Sequence, residues 1–297
     1  MAADLDLYRI FYHVAKYQNF TRAAEVLLSS QPSVTRAMQS LESELGCRLF
    51  VRSGRGVQLT AEGQLLYSRI APAYESIVRA EEEIAGALSL SQGAAYLGTT
   101  GMALHCLLLH RLRAFCTAFP GIRLRISDYS TPQAIRALQA GSVDMATITT
   151  PAQLPTGLRR TALGDFEEVM VGGPRFAALA SGSHTLSQLT QYPLVGLSSD
   201  TVTYAFYRDI YAESALDFSP DVQLSTSDLV LPAIAHDLGI GFVPLPIARP
   251  ALQSGQVVRI PLAQPLPRRQ VWLLTDPRRS LSPAARALYR ALRQQDF

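Results

Sequence analysis

What this chain of 297 residues lacks narrows its chemistry first. It has three cysteines, Cys47, Cys106 and Cys116, an odd number without metal-site spacing, as expected in a reducing compartment. Cys106 and Cys116 fall ten residues apart on one expected helix, so ~15 Å separates them where a disulfide tolerates ~7 Å. Both read as core thiols. The histidines, His13, His105, His110, His184 and His236, make no H-x-x-x-H pair and flank no cysteine pair, which leaves no metal site. A solitary lysine, Lys16, removes most lysine chemistry. There is no G-x-G-x-x-G after a strand, no G-x-x-x-x-G-K-[ST] and no H-E-x-x-H. Ser183 and His184 are neighbours in a polar stretch and read as a surface loop, so neither catalysis nor a cofactor is expected. No run approaches the ~18 consecutive apolar residues of a membrane span. The opening Met1-Ala2-Ala3-Asp4-Leu5-Asp6 is acidic where a secretory signal is basic, and the chain is expected to stay in the cytoplasm, away from membranes.

What is present suits a globular protein of roughly two ~150-residue domains, with 48% hydrophobic and 17% charged residues. The net charge of +3 is too small to diagnose a nucleic-acid partner by itself. Its distribution says more. Every cationic residue but Lys16 is arginine, the side chain suited to bidentate phosphate and guanine contacts, and Arg22, Arg36, Arg48, Arg52 and Arg55 cluster early.

Leu7, Phe11 and Val14 predict an amphipathic helix over 5–17. Thr21 can cap a short helix over 22–28, with Ala23 and Ala24 allowing close packing and Leu27 and Leu28 reaching the core. Ser29-Ser30-Gln31-Pro32 then opens a third helix to residue 45. On it Val34, Met38, Leu41 and Leu45 form the buried stripe, and Pro32, Arg36, Gln39 and Ser43 fall opposite. A short helix, a tight turn and a helix with a polar outer face describe either a helix-turn-helix or an ordinary helical hairpin. Strands over 47–51 and 57–59 around Arg52-Ser53-Gly54-Arg55-Gly56 add a wing with arginines at its tip.

The run Ala23-Ala24, Leu27, Ser30-Gln31-Pro32-Ser33-Val34-Thr35-Arg36, Leu41-Glu42, Leu45-Gly46, Leu49-Phe50, Arg52, Leu59-Thr60, Glu62-Gly63 resembles the winged helix-turn-helix of LysR-type transcriptional regulators. Departures are small: Gln18-Asn19 before Phe20, Thr35 for the usual serine, and Met38 for a branched aliphatic. The resemblance implies DNA contact by Thr21, Arg22, Gln31, Pro32, Ser33, Thr35, Arg36, Gln39, Arg48, Arg52 and Arg55. Arg22, Arg48 and the wing would hold phosphates while Gln31, Ser33, Thr35 and Arg36 read or flank bases.

Thr60 can cap a long helix through residue 90, along which Leu66, Ile70, Ala73, Ile77, Ala80, Ile84 and Ala87 form an a/d seam, fit either to pair with a second copy or to pack a lone helix on its own domain. Pro72 should kink or interrupt it near Ala71. The resemblance implies that this linker dimerises the DNA-binding domains, so that two reading helices address an inverted repeat. It also implies a homotetramer working through RNA polymerase.

After a hinge at Ser91-Gln92-Gly93, strands and helices alternate: strand 95–98, helix 104–118, strand 122–127, helix 131–140, strand 145–149. A second series follows at 194–197, 204–214, 222–224, 228–236 and 240–243, with strand 271–274 and helix 283–294 returning to the first. This order predicts parallel α/β sheets. Phe115, Phe119-Pro120-Gly121, Leu124, the 138–141 stretch, Asp144 and Gly239-Ile240-Gly241 also match the LysR-type effector domain, which is similar to type 2 periplasmic solute-binding proteins. The expected fold is therefore an α+β multidomain protein: an N-terminal winged helix-turn-helix over 1–63, a linker helix over 64–92 and a C-terminal α/β effector domain over 93–297. Its two subdomains would span about 93–163 with 268–297, and about 164–267.

Open parallel sheets bind ligands outside the carboxyl ends of their strands. Those ends are rich in hydroxyls: Thr99-Thr100-Gly101, Thr149-Thr150, Ser198-Ser199-Asp200-Thr201 and Ser225-Thr226. They are the candidate effector site, with helix capping as the plain alternative for each. Asp200 would repel a simple anion, which leaves either an amine-bearing effector or a cap. A regulator controlled by a small molecule is the leading reading. A cytoplasmic solute-binding protein or enzyme on the same fold is the rival, and it has no use for residues 1–90.

Overall fold

The computed structural model describes residues 4–53, 56–87 and 93–294, and the chain forms two compact units, Met1–Ile84 and Ala85–Phe297. In the first, α1 (Leu5–Tyr17) is capped by the Asp4 carboxylate and closed by Gln18 in the left-handed region at φ 49°. Helix α2 (Phe20–Val26) begins earlier than the sequence suggested, because Asn19 is extended and its side-chain oxygen accepts from the Arg22 amide at 3.0 Å. The cap is thus Asn19 and not Thr21. Leu28 lies beyond the helix at φ 51° and is 96% exposed, so only Leu27 of the expected pair packs on the core.

Ser30 caps α3 (Gln31–Leu45), and Gly46 ends it at φ 69°, a conformation that costs glycine nothing. Val34, Met38 and Leu41 are buried with Phe11, Val14, Ala23, Ala24 and Leu49, whereas Leu45 at the C-terminal end of the stripe is exposed. Strands β1 (Phe50–Ser53) and β2 (Gly56–Leu59) pair antiparallel from Phe50 against Leu59. The first starts later than expected, since the Glu42 carboxylate takes the Leu49 and Phe50 amides.

Helix α4 (Ala61–Ala87) is capped by Thr60, whose hydroxyl accepts from the Gly63 amide at 2.9 Å. A side chain at Gly63 would meet the Leu49 carbonyl. The helix runs through Pro72 without the interruption its sequence suggested. Leu66 and Ile70 pack on the unit's own core, while Ala73, Ile77 and Ala80 are exposed. The side chains of Ile84 and Ala87, and residues 88–90, lie outside the described residues.

The second unit starts with β3 (Gly93–Thr99) and a helical run of α5 (Gly101–Ala103), a π-helical turn (Leu104–Leu108) and α6 (Leu109–Ala118). Then come β4 (Ile122–Asp128), α7 (Thr131–Ala140), β5 (Met145–Thr149), β6 (Arg159–Phe166) and β7 (Glu168–Gly172). A 3-10 turn, α8 (Leu186–Leu189), β8 (Leu194–Leu197), α9 (Val202–Glu213), β9 (Val222–Leu224) and α10 (Val230–Ala235) follow. The chain continues through β10 (Ile240–Pro244), α11 (Leu245–Gln253), β11 (Val258–Ile260), β12 (Arg269–Thr275) and α12 (Pro283–Arg293).

The strands form two five-stranded sheets, β4-β3-β5-β12-β6 and β11-β7-β10-β8-β9. Both are mixed and not parallel throughout. The chain crosses between them at 166–168 and again at 260–269, and the crossing strands β6, β7, β11 and β12 pair antiparallel with their neighbours. Each sheet is covered by helices over buried apolar residues, Leu97, Phe115 and Leu288 in the first and Val171, Ile234 and Ala248 in the second. Cys106 is half-buried against the first core, but Cys116 is exposed, so the reading of both as core thiols holds for neither in full. Among the described residues no helix is long and apolar enough to cross a membrane, and no group of His, Cys, Asp or Glu could hold a metal ion.

Candidate nucleic-acid interface and effector site

Burying one stripe of α3 turns its other face outward. Gln31, Pro32, Ser33, Arg36 and Gln39 are exposed and Thr35 is half-buried, with Thr21 and Arg22 exposed on α2. The Gln31 amide donates to the Thr35 hydroxyl at 3.0 Å, and Ser30 donates to Ser33 at the same distance. Arg22 pairs with Glu25 at 2.9 Å and Arg48 with Glu42 at 3.1 Å. Arg36 has one long bond, from Nε to the Pro32 carbonyl at 3.4 Å, which leaves most of its donors for a ligand. The side chain of Arg52 and all of Arg55 lie outside the described residues.

A polar aromatic seam that sequence reading missed fastens α4 to α1. Tyr12 donates to Glu75 at 3.0 Å and accepts from Lys16 at 3.1 Å, and its ring lies 4.7 Å from Tyr74 and 6.1 Å from Tyr67. His13 meets the Tyr74 hydroxyl at 3.4 Å while its Nδ1 is buried without a partner. Burial lowers the His13 pKa, with Lys16 and Arg9 adding repulsion. Burial and the Glu75 charge hold Tyr12 firmly in its phenol form. The seam draws on residues at 12, 13 and 16 against 67, 74 and 75, and its signal was Tyr67 and Tyr74, one heptad apart on α4, with Tyr8, Tyr12 and Tyr17 on α1.

In the second unit the predicted hydroxyls divide. Thr99 donates inward to the Thr100 carbonyl and accepts from Thr147 at 2.7 Å, deep in the core. Thr100 and Thr201 are caps, accepting from the Ala103 and Tyr204 amides at 3.3 and 3.1 Å. Gly101 opens the helix that Thr100 caps. Ser198 donates to the Leu224 carbonyl at 3.2 Å. Ser199, Asp200, Ser225 and Thr226 are exposed.

Thr149 and Thr150 instead meet a residue that the sequence did not single out. Arg269, at the start of β12 and only 1% exposed, donates through Nε to the Thr150 carbonyl at 2.6 Å. Its other nitrogens reach Thr149 Oγ1 at 3.0 Å, Thr203 Oγ1 at 3.3 Å, Met102 Sδ at 3.2 Å and Glu168 Oε1 at 3.0 Å. Phe206 lies under the guanidinium at 4.9 Å. One side chain therefore ties β5 and the first turn of the 101–118 helix, from one sheet's layer, to β7 and α9 from the other's.

Tyr207 lies beside the pair, its buried phenol close enough to act on both charges, yet Glu168 Oε2 accepts no bond of standard geometry. Burial pushes the Glu168 carboxyl above its ordinary range against the pull of Arg269. A pocket of about 20 Å³, room for one water, adjoins the cluster between Met102, Thr203, Tyr207, Phe218, Ser227 and Phe242. Arg269 thus meets Thr149 and Thr150 themselves and the neighbours Met102 and Thr203 of two other ends, while of the fourth end only Ser227, beyond Thr226, lines the adjoining pocket. The cluster's one signal in sequence was an arginine and a glutamate opening otherwise apolar strands.

Two family models match this chain: the bacterial regulatory helix-turn-helix protein of the lysR family over residues 5–64, and the LysR substrate binding domain over 89–296. The chain is 29% identical over 210 residues to the HTH-type transcriptional regulator BbuR of Bordetella bronchiseptica, which covers 71% of this chain and 64% of that protein. It is 26% identical over 288 residues to the RuBisCO operon transcriptional regulator of Allochromatium vinosum, 97% of this chain and 94% of that one. Its fold resembles the crystal structure of CbnR, a LysR family transcriptional regulator, with a TM-score of 0.75 and 17% identity over 98% of this chain and 100% of that chain. Full-length CbnR complexed with its target DNA gives the same TM-score of 0.75.

Proposed function

Because the chain belongs to the LysR family of DNA-binding transcriptional regulators, we propose that it reads an operator with the outer face of α3 and answers a small molecule held between the two sheets of its second unit. It is a regulator and not an enzyme. The observation that carries the reading is the two-faced α3, apolar where Val34, Met38 and Leu41 are buried and polar where Gln31, Ser33, Arg36 and Gln39 are exposed. Gln31, Ser33, Thr35 and Arg36 contact or flank base edges in the major groove, with Pro32 and Gln39 alongside. Thr21, Arg22, Arg48, Arg52 and Arg55 hold phosphates and set the register.

The exposed row Ala73, Ile77 and Ala80 supports self-association through α4, which would pair two reading helices on an inverted repeat of double-stranded DNA. A homotetramer that meets RNA polymerase, in the cytoplasm, completes the proposal. The domain limits that go with it are 1–63, 64–92 and 93–297. The effector, seated among Thr100, Thr149, Thr150 and Thr201 and the Arg269 cluster, acts by binding the two quaternary arrangements unequally, the only way a ligand shifts an equilibrium.

Duplex binding measured against salt tests the DNA half of this reading. About 6 to 10 neutralised phosphates predict a loss of ~10³ to 10⁵ in affinity between about 50 and 200 mM salt. Binding that ignores salt, or none at low salt, would count against it.

A further inference from the structure

Helices α6 and α12 share the core of the first sheet, and both come from stretches without acid: neither 84–127 nor 277–295 contains an aspartate or a glutamate. Arg113 on α6 and Arg286, Arg290 and Arg293 on α12 are exposed, and none of them forms an ion pair with any described residue. Elsewhere in the same unit the exposed Arg208, Arg259, Arg268 and Arg278 meet Asp209, Glu167, Asp165 and Asp276. Arg293 lies over the Tyr289 ring at 5.1 Å. Arg286 makes one long bond, to the Leu281 carbonyl at 3.3 Å, and Arg290 makes no side-chain bond among the described residues, so the donors of both face outward unused.

Beside these two arginines runs an open cavity of about 450 Å³. Phe119, just beyond α6, lines one side, and a stripe of α12 from Pro283 through Ala287 and Ala291 to Gln294 lines the other. Phe119 is 39% exposed, yet its ring is backed at 5.2 Å by Phe115, which is 1% exposed. At 1.5 Å per residue the stripe runs for ~16 Å, about three helical turns. An apolar floor of that length beside two unpaired guanidinium groups one turn apart has both a shape and a charge sign.

We propose that this groove docks an acidic amphipathic helix of a partner protein, about three turns long. Two carboxylates one turn apart meet Arg286 and Arg290, and one large apolar side chain covers Phe119. The small side chains at 287 and 291 let the partner's backbone come close. A second copy seated by the same stripe sets arginine against arginine, and a nucleic-acid duplex brings nothing apolar to Phe119 and the alanines. The groove is open as it stands, so docking requires no rearrangement of its walls.

The test uses the full-length chain and a fluorescein-labelled helical peptide of about 12 residues, with glutamates at its fourth and eighth positions and a leucine at its fifth. Control peptides carry glutamine for both glutamates, or alanine for the leucine. The glutamate peptide is expected to saturate by about 1 mM, and both controls to bind ~10-fold more weakly. Arg286→Gln combined with Arg290→Gln weakens the glutamate peptide ~10-fold and leaves the melting temperature in place, and Phe119→Ala weakens it by a similar factor. The reversed pair, Arg286→Glu with Arg290→Glu, loses the glutamate peptide and gains one with lysines at those two positions, a rescue that general attraction to a basic surface does not produce.

The glutamine peptide binding as tightly as the glutamate peptide overturns the proposal, as does glutamate-peptide binding undiminished by Arg286→Gln with Arg290→Gln, or no saturation by the wild type. Random-sequence duplex DNA that displaces the peptide, and loses ~10-fold in affinity with the same two substitutions, would make the groove a nucleic-acid surface and overturn the helix as its occupant. A smaller oligomer for Phe119→Ala would mark a second copy as the occupant and overturn it equally.

Discussion

The two units put their polar chemistry on opposite sides of their cores. In the first, the core of Phe11, Val14, Ala23, Val34, Met38 and Leu41 is apolar, and the polar residues of α3 face solvent. In the second, the polar cluster is inside: Arg269 and Glu168 are 1% and 3% exposed and bridge the layers of two sheets. A surface that must meet a large charged partner gains from staying solvated until contact, since desolvation is then offset by the partner's phosphates. A site for a small ligand gains from low dielectric, where one guanidinium and two helix starts act strongly. The difference also predicts where mutations hurt: binding without folding in the first unit, folding and binding together in the second.

The largest effect expected is at Arg269. Arg269→Ala leaves the Glu168 charge buried without its partner and should lower the stability of the second unit by ~3 to 5 kcal/mol, read as an earlier denaturant transition. A loss under about 1 kcal/mol would break the comparison, because it would mean that the cluster is hydrated like a surface pair. Next comes Arg36→Ala, expected to cost ~1 to 3 kcal/mol in operator affinity while the unfolding transition of the first unit stays in place. Unchanged affinity would remove Arg36 from the reading face.

A smaller effect separates two neighbouring candidates for one cap. Asn19→Ala should destabilise the first unit by ~1 kcal/mol through the lost bond to the Arg22 amide, and Thr21→Ala by little, as its exposed side chain caps nothing. Equal effects would contradict the placement of the start of α2.

The smallest effects are in pH. His13 titrates below its ordinary 6.5 in the folded unit, so the unfolded chain binds the proton more readily and the contribution of His13 to stability is lost as pH falls below about 6.5. Asp276 is held at about 2 by its hydrogen bond from Arg278, against an ordinary 3.8, so its contribution is present above about pH 4 and lost as pH falls toward 2. His13→Gln should flatten the first dependence and Asp276→Asn the second, each followed as melting temperature against pH. A swap of the two windows would refute both assignments.

The same contrast governs what the sequence could disclose. The face of α3 lies within fifteen consecutive residues, where a period of 3.6 sorts inside from outside before any tertiary contact is known. Ser30 and Thr60 were readable as caps for the same local reason. Arg269 meets partners 167, 101, 120 and 66 positions away, and no local pattern carries that. Of the crossing strands β12 was legible as 271–274, whereas β6, β7 and β11 escaped notice on related grounds: β7 is buried along its whole length and reads as any short apolar run, while β6 carries arginines on its exposed positions. Parallel order was inferred from alternation, but the antiparallel strands follow from where the chain crosses between sheets, a global property. Asn19 lost out to Thr21 because two capping residues stood two positions apart and only the extended backbone at Asn19 decides between them.

The most direct test of the central claim, that the outer face of α3 reads DNA, is selection of bound fragments from genomic DNA by the full-length protein beside a Gln31→Ala, Ser33→Ala, Arg36→Ala variant. The account predicts that the wild type enriches an inverted repeat near promoters and that the variant, folded and melting at the same temperature, enriches none. The same repeat recovered by both proteins, or no enrichment at low salt by the folded wild type, would contradict it.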